Sequence, residues 1–92
     1  MNDCVIIDIE TSGVDRSTSQ IIGISAVLLK DGIVNGHKYE CWCRCNELEE
    51  AVIEIIGKNA AFFEDQLPVD QAIHNLNSFI GDYPLVAKNP SF

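Results

Sequence analysis

The run Cys4-Val5-Ile6-Ile7-Asp8-Ile9-Glu10-Thr11-Ser12-Gly13 constrains the fold more than any other part of the chain. Its β-branched residues favour a pleated strand, and apolar side chains on both faces suit a central strand covered on each side. Into this run the sequence places two carboxylates. An ionised carboxylate among Val and Ile is tolerated when it is paired, hydrogen-bonded or bound to a metal. Side chains alternate along a strand, so Asp8 and Glu10 point to one face while Ile7 and Ile9 point to the other. Two acids on one face form a hard, all-oxygen site for a cation.

The chain has 92 residues, enough for one small domain with a modest core, and its 47% hydrophobic content is that of a packed protein. Its apolar runs are too short to span a bilayer and no signal-like segment opens it, so no membrane partner and a cytoplasmic location are expected. Six basic residues against fourteen acidic ones give a formal charge of −8, which opposes adhesion to nucleic acid through a broad basic face. A nucleic-acid substrate stays compatible with that charge if divalent cations sit between phosphate and the acids.

Cys41, Cys43 and Cys45 alternate with Trp42 and Arg44 along an expected strand. Same-face positions two apart lie roughly 6.5 to 7 Å from each other. Tetrahedral zinc needs its sulfurs within about 4 Å, so a straight strand cannot wrap three thiols around one ion. Free thiols, mostly buried on one sheet face in a reducing compartment, are the favoured reading, with a zinc or redox module as the competing one.

Thr11 to Gln20 has the Ser, Thr, Asp and Gly content of a loop. Ile21 to Leu29 reads as a second strand, Lys30-Asp31-Gly32 as a turn, and Ile33 towards Arg44 as a third, antiparallel strand. The polar residues His37, Lys38, Glu40 and Arg44 mark that third strand as an edge. Asn46 and Glu49 have capping-box spacing, and Leu48, Val52, Ile55 and Ile56 predict a helix ending at Gly57. Lys58 to Leu67 has no clear period and reads as a loop or short helical turn. Pro68 and the stripe Val69, Ala72, Ile73, Leu76, Phe79, Ile80 predict a second helix ending at Gly81. Pro84 to Ala87 reads as a short buried strand returning parallel to the first. The expected fold is α/β, with three antiparallel strands, two helices and a final parallel strand.

Val5 to Gly13, followed by Gln20-Ile21-Ile22-Gly23-Ile24-Ser25-Ala26-Val27, resembles the first motif and second strand of the DEDD-type 3′ to 5′ exonucleases, in particular the proofreading epsilon subunit of bacterial DNA polymerase III and its relatives. Leu85-Val86-Ala87-Lys88-Asn89-Pro90-Ser91-Phe92 resembles the start of that family's second motif, so the likeness runs the length of the chain in the right order.

The resemblance implies a truncated ribonuclease-H-like fold, residues 1–92 being the N-terminal portion of an exonuclease-like domain. It further implies hydrolysis of nucleotides from a nucleic-acid 3′ end by two Mg2+ or Mn2+ ions, with polymerase subunits as partners of the complete form. By the same carry-over, Asp8 and Glu10 match catalytic metal ligands, Thr11 lies where the family meets the terminal nucleotide, and Asn89 and Phe92 flank the second motif's acid as substrate-binding positions. That acid would follow Phe92, and the third motif, with its general-base His and last Asp, has no counterpart in these residues. The site is therefore expected to bind metal weakly or not at all by itself and to be inactive. Gly23 stands where the family commonly has Glu, and Lys88 where it commonly has His. His37 and His74 do not follow the family's His placement and are expected to be solvated, as is Lys88. An alternative reading is a non-catalytic module that self-associates through an exposed sheet edge.

Overall fold

The computed structural model describes residues 3–13 and 19–87. Lys88, Asn89 and Phe92 lie outside the described residues.

The opening run forms β1 (Cys4–Thr11), and the expected hairpin forms β2 (Ile21–Lys30) and β3 (Ile33–Trp42). Asp31 and Gly32 join the hairpin with φ of 54° and 76°. Two consecutive left-handed residues match the right-handed twist of the flanking strands, which is why Asp-Gly turns favour this geometry. The last strand, β4 (Leu85–Ala87), completes a sheet of order β3-β2-β1-β4. β1 runs antiparallel to β2 and parallel to β4, pairing Val5 with Leu85 and Ile7 with Ala87. The opening run is therefore a central strand and β3 an edge, as their side chains predict.

Three helices lie between β3 and β4: α1 (Glu50–Ile56), α2 (Ala60–Glu64) and α3 (Val69–Ile80). From α3, Ala72 and Leu76 are buried against Val5, Ile7, Ile24, Ala26, Leu28 and Cys43 on one sheet face. The Tyr39 hydroxyl donates to the Ala72 carbonyl at 2.9 Å, tying the edge strand to the same helix. A second cluster, built on Ile22, Cys45 and Phe63, gathers Trp42, Leu48, Val52, Ile56 and Phe62 under α1 and α2.

Two expectations, the start of the first helix and the burial of the last strand, need correction, and the stretch that reads as a loop or short helical turn is a short helix. The first helix starts at Glu50, and Glu49 has extended backbone with no side-chain cap. The Glu49 amide donates to the Ser12 carbonyl at 3.2 Å, and its carboxylate folds onto Gly13, so Glu49 ties the post-β1 loop down and forms no side-chain capping box with Asn46. The aperiodic stretch after Gly57 holds the short α2, which Asn59 caps by accepting from the Phe62 amide at 3.0 Å. β4 is exposed, with Leu85 at 52% and Val86 at 48%, because β1 is its sole strand neighbour among the described residues.

The thiols divide between the clusters: Cys43 packs under α3 with Cys41 beside it, while Cys45 belongs with Ile22 and Phe63. All four cysteines are free. Burial, with Cys41 next in effect, pushes the Cys43 thiol up to about 11. Among the described residues no helix is long and apolar enough to cross a membrane.

Candidate active-site cleft

The face of the sheet opposite α3 carries the two acids. Register places Asp8 beside Ser25 and Ser25 beside Glu40, and in the next row Glu10 beside Gly23 and Gly23 beside Trp42. These residues line a cleft of about 210 Å³. Asp8 is half-buried and Glu10 exposed, so both carboxylates reach the cleft from the end of the central strand. Ile7, on the opposite face, is buried in the core, whereas Ile9 lies at the margin of the helix layer and is 39% exposed.

Thr11 follows an irregularity in the β1–β2 ladder between Glu10 and Thr11. Its hydroxyl donates to the Gly13 carbonyl at 2.9 Å, bracing the turn at the strand's end. Ser12 is buried; its amide donates to the Gln20 carbonyl at 2.9 Å and its Oγ accepts from the Gln20 amide at 2.9 Å. These contacts hold the acid-bearing end of β1 against the start of β2. His74 is exposed on α3, and His37 is exposed on β3, as expected.

Two further residues line the cleft, Glu40 and Trp42, to which the sequence assigns no site role. Glu40 adds a third carboxylate to the lining and pairs with Lys38 at 3.1 Å, an exposed contact worth little in stability. Trp42 lies over Gly23: a Cβ at position 23 would sit 2.9 Å from two carbons of the indole. The glycine found where the resemblance leads one to expect Glu is thus a close-approach position, filled from the neighbouring strand by an aromatic ring. Phe62 and Phe63 hold that ring edge-on, with centroids 5.9 and 5.7 Å away. The signal was present in the pairing of a strand Gly with a nearby Trp, but reading it required the strand register.

Asp8 and Glu10 provide hard oxygen donors on one face, in a cleft open to solvent, and Mg2+ typically uses a few carboxylates while keeping waters. Among the described residues no group of three or more His, Cys, Asp or Glu converges tightly enough to hold an ion. The arrangement therefore offers oxygen donors suited to an ion held by two carboxylates and water.

A mixed sheet of this order, with helices between its third and fourth strands, is a ribonuclease-H-like fold. An exonuclease I structure superposes with a TM-score of 0.76 over 95% of this chain and 20% of that chain, at 13% identity. The E. coli exonuclease I complex with a dT13 oligonucleotide does so with a TM-score of 0.76 at 12% identity. By sequence, the chain is related to a segment of PolC-type DNA polymerase III. It is 33% identical over 92 residues to the protein of Halalkalibacterium halodurans and 33% identical over 89 residues to that of Bacillus subtilis. The Thermotoga petrophila protein is 26% identical over 88 residues. The alignments cover 96 to 99% of this chain, which spans about 6% of the length of the curated relatives it matches. No protein-family model matches the sequence.

Proposed function

We propose that residues 1–92 are the N-terminal portion of a 3′ to 5′ exonuclease domain that, when complete, hydrolyses phosphodiester bonds at a nucleic-acid 3′ end. The observation carrying this reading is the joint position of Asp8 and Glu10 on the open face of the central strand, at the mouth of one cleft. In this reading Asp8 and Glu10 hold Mg2+ or Mn2+, and Thr11 braces the turn beside the terminal nucleotide. A bound divalent ion would supply charge neutralisation at the phosphate and acidify the attacking water. Asn89 and Phe92 are proposed to reach the same nucleotide, and polymerase subunits to be partners of the complete protein.

These residues by themselves are proposed to be inactive. Groups that act as a unit lose nearly all their effect when part of the set is missing, and among the described residues no group of three or more His, Cys, Asp or Glu is placed to hold an ion. Incubating the 92-residue protein with a 5′-labelled oligonucleotide and Mg2+ or Mn2+ should leave the ladder unshortened. Metal-dependent shortening abolished by Asp8→Ala would overturn the inactivity. Magnesium binding measured by calorimetry tests the site separately: weak binding lost in Asp8→Asn and Glu10→Gln supports it, and unchanged binding in both variants counts against it.

The exposed edge of β4 favours a second reading, a self-associating module built on the same fold, in which the open strand pairs with a second copy.

A further inference from the structure

We propose that Trp42 is the base-stacking wall of the carboxylate cleft, receiving the terminal base of a single-stranded nucleic acid; this rests on the nuclease reading above and names how its substrate is held. Three observations converge on the ring. It lines the same cleft as Asp8 and Glu10, one strand beyond Gly23, whose partner across the sheet is Glu10. It is held in place before any ligand arrives, by the absent side chain of Gly23 beneath it and by edge-on contacts with Phe62 and Phe63 at interplanar angles of 82° and 83°. It also has a cation at hand, because Lys58 Nζ lies 5.8 Å from the indole centroid and 4.6 Å from the Phe62 ring.

Charge decides which part of the ligand this wall takes. A chain of net charge −8 gains little from phosphates, and the cleft's own lining carries Asp8, Glu10 and Glu40. A nucleobase is neutral and presents a π-face to any aromatic ring, so stacking gives affinity that does not depend on sequence or on a basic surface. With the base on Trp42, the scissile phosphate lies on the acid side of the cleft, and Lys58 is a cation beside the wall for a neighbouring phosphate.

Trp42 is the single tryptophan of the chain, so its emission reports this site alone. Titrating the protein with oligothymidylate in the presence of Mg2+ should quench the emission saturably. An oligonucleotide whose 3′-terminal residue is abasic should quench less and bind more weakly. By anisotropy of a labelled oligothymidylate, Trp42→Leu should weaken binding on the order of tenfold, the scale of one lost base–aromatic stack. Trp42→Phe should retain most of the affinity, and Gly23→Ala, which forces the ring to move, should lose part of it with Trp42 still present. If Trp42→Leu does not fold by circular dichroism, the emission titration, the abasic ligand and the Gly23→Ala variant decide the matter. Binding of labelled oligonucleotide with unchanged Trp emission, or with equal affinity in Trp42→Leu, overturns the stacking role and leaves the nuclease reading standing. Absence of oligonucleotide binding by the unsubstituted protein overturns the stacking role, whereas the nuclease reading is tested separately by the loss of magnesium binding in Asp8→Asn and Glu10→Gln.

Discussion

Cys43 and Tyr39 show how burial of individual side chains under α3 sets the protein's response to alkali. The Cys43 thiol is fully buried, and desolvation followed by the neighbouring Cys41 raises its pKa from 9.0 to about 11. Tyr39, half-buried and hydrogen-bonded to the Ala72 carbonyl, is raised from 10.0 to about 12, again with desolvation first and Cys41 next. Both groups are neutral when protonated, so the folded state holds their protons more tightly than the unfolded chain does. Their contribution is fully present below the unfolded values and is lost as pH rises between about 9 and 12, where the unfolded chain has released protons that the folded one keeps. Urea midpoints should therefore fall across that window, and Cys43→Ala should fall less steeply between about 9 and 11 than the unsubstituted protein. A parallel decline in the two proteins would mean that Cys43 is not the titrating group. At the same scale, Asp8 and Glu10 were legible because two charges in an apolar strand demand an explanation. Glu40 and Trp42 were not. Lys30 pairs with Ile33, so counting outward from the turn puts Glu40 opposite Gly23; the irregularity between Val27 and Leu29 shifts each partner by two residues and brings Trp42 there. No local sequence pattern encodes that shift.

The elements differ in how firmly they are held. α3 has two side chains, Ala72 and Leu76, sunk into the sheet's core, and Leu76 meets the buried face of the central strands. Leu76→Ala should cost about 2 to 5 kcal/mol, the range for emptying a buried leucine site, read as a lowered urea midpoint with unchanged m-value. α1 has seven residues and none of them is buried; Val52 and Ile56 pack partly on the second cluster and Ile55 is 81% exposed. A helix this short is not stable without tertiary support. Its amides should exchange with solvent well before those of β1, β2 and α3 in a hydrogen-exchange time course, and equal protection of α1 and α3 would contradict the packing described here. This difference explains what the sequence could disclose. The α3 stripe is long enough for its 3.6-residue period to stand out, and Gly81 ends it as expected. For α1 the capping-box spacing Asn46/Glu49 misled, because a tertiary hydrogen bond from Glu49 to Ser12 outcompeted the local cap. The five residues of α2 are too few to show a period at all.

At the scale of the whole molecule, the two sheet edges are unequal. The β3 edge carries the Lys38–Glu40 pair and an irregular register opposite Val27 and Leu29, both of which discourage another strand from docking. The β4 edge has neither. It is short, it presents exposed Leu85 and Val86, and among the described residues no strand pairs with its outer side. Its exposure could not be read from the sequence, because Leu85-Val86-Ala87 is apolar enough for a buried strand and burial depends on what lies beyond it. Net charge opposes association: at −8, two copies repel, and the repulsion weakens as salt shortens the screening length to about 8 Å at physiological ionic strength. Self-association through β4 should therefore strengthen with protein concentration and with added salt. Light scattering should show the mean mass rising along both axes. Val86→Lys places a charge on the exposed strand and should restore the monomer mass while leaving the far-ultraviolet spectrum unchanged. A protein that stays monomeric at high concentration and high salt removes the case for the self-associating module. Growth in mass that persists in Val86→Lys moves the contact away from this edge.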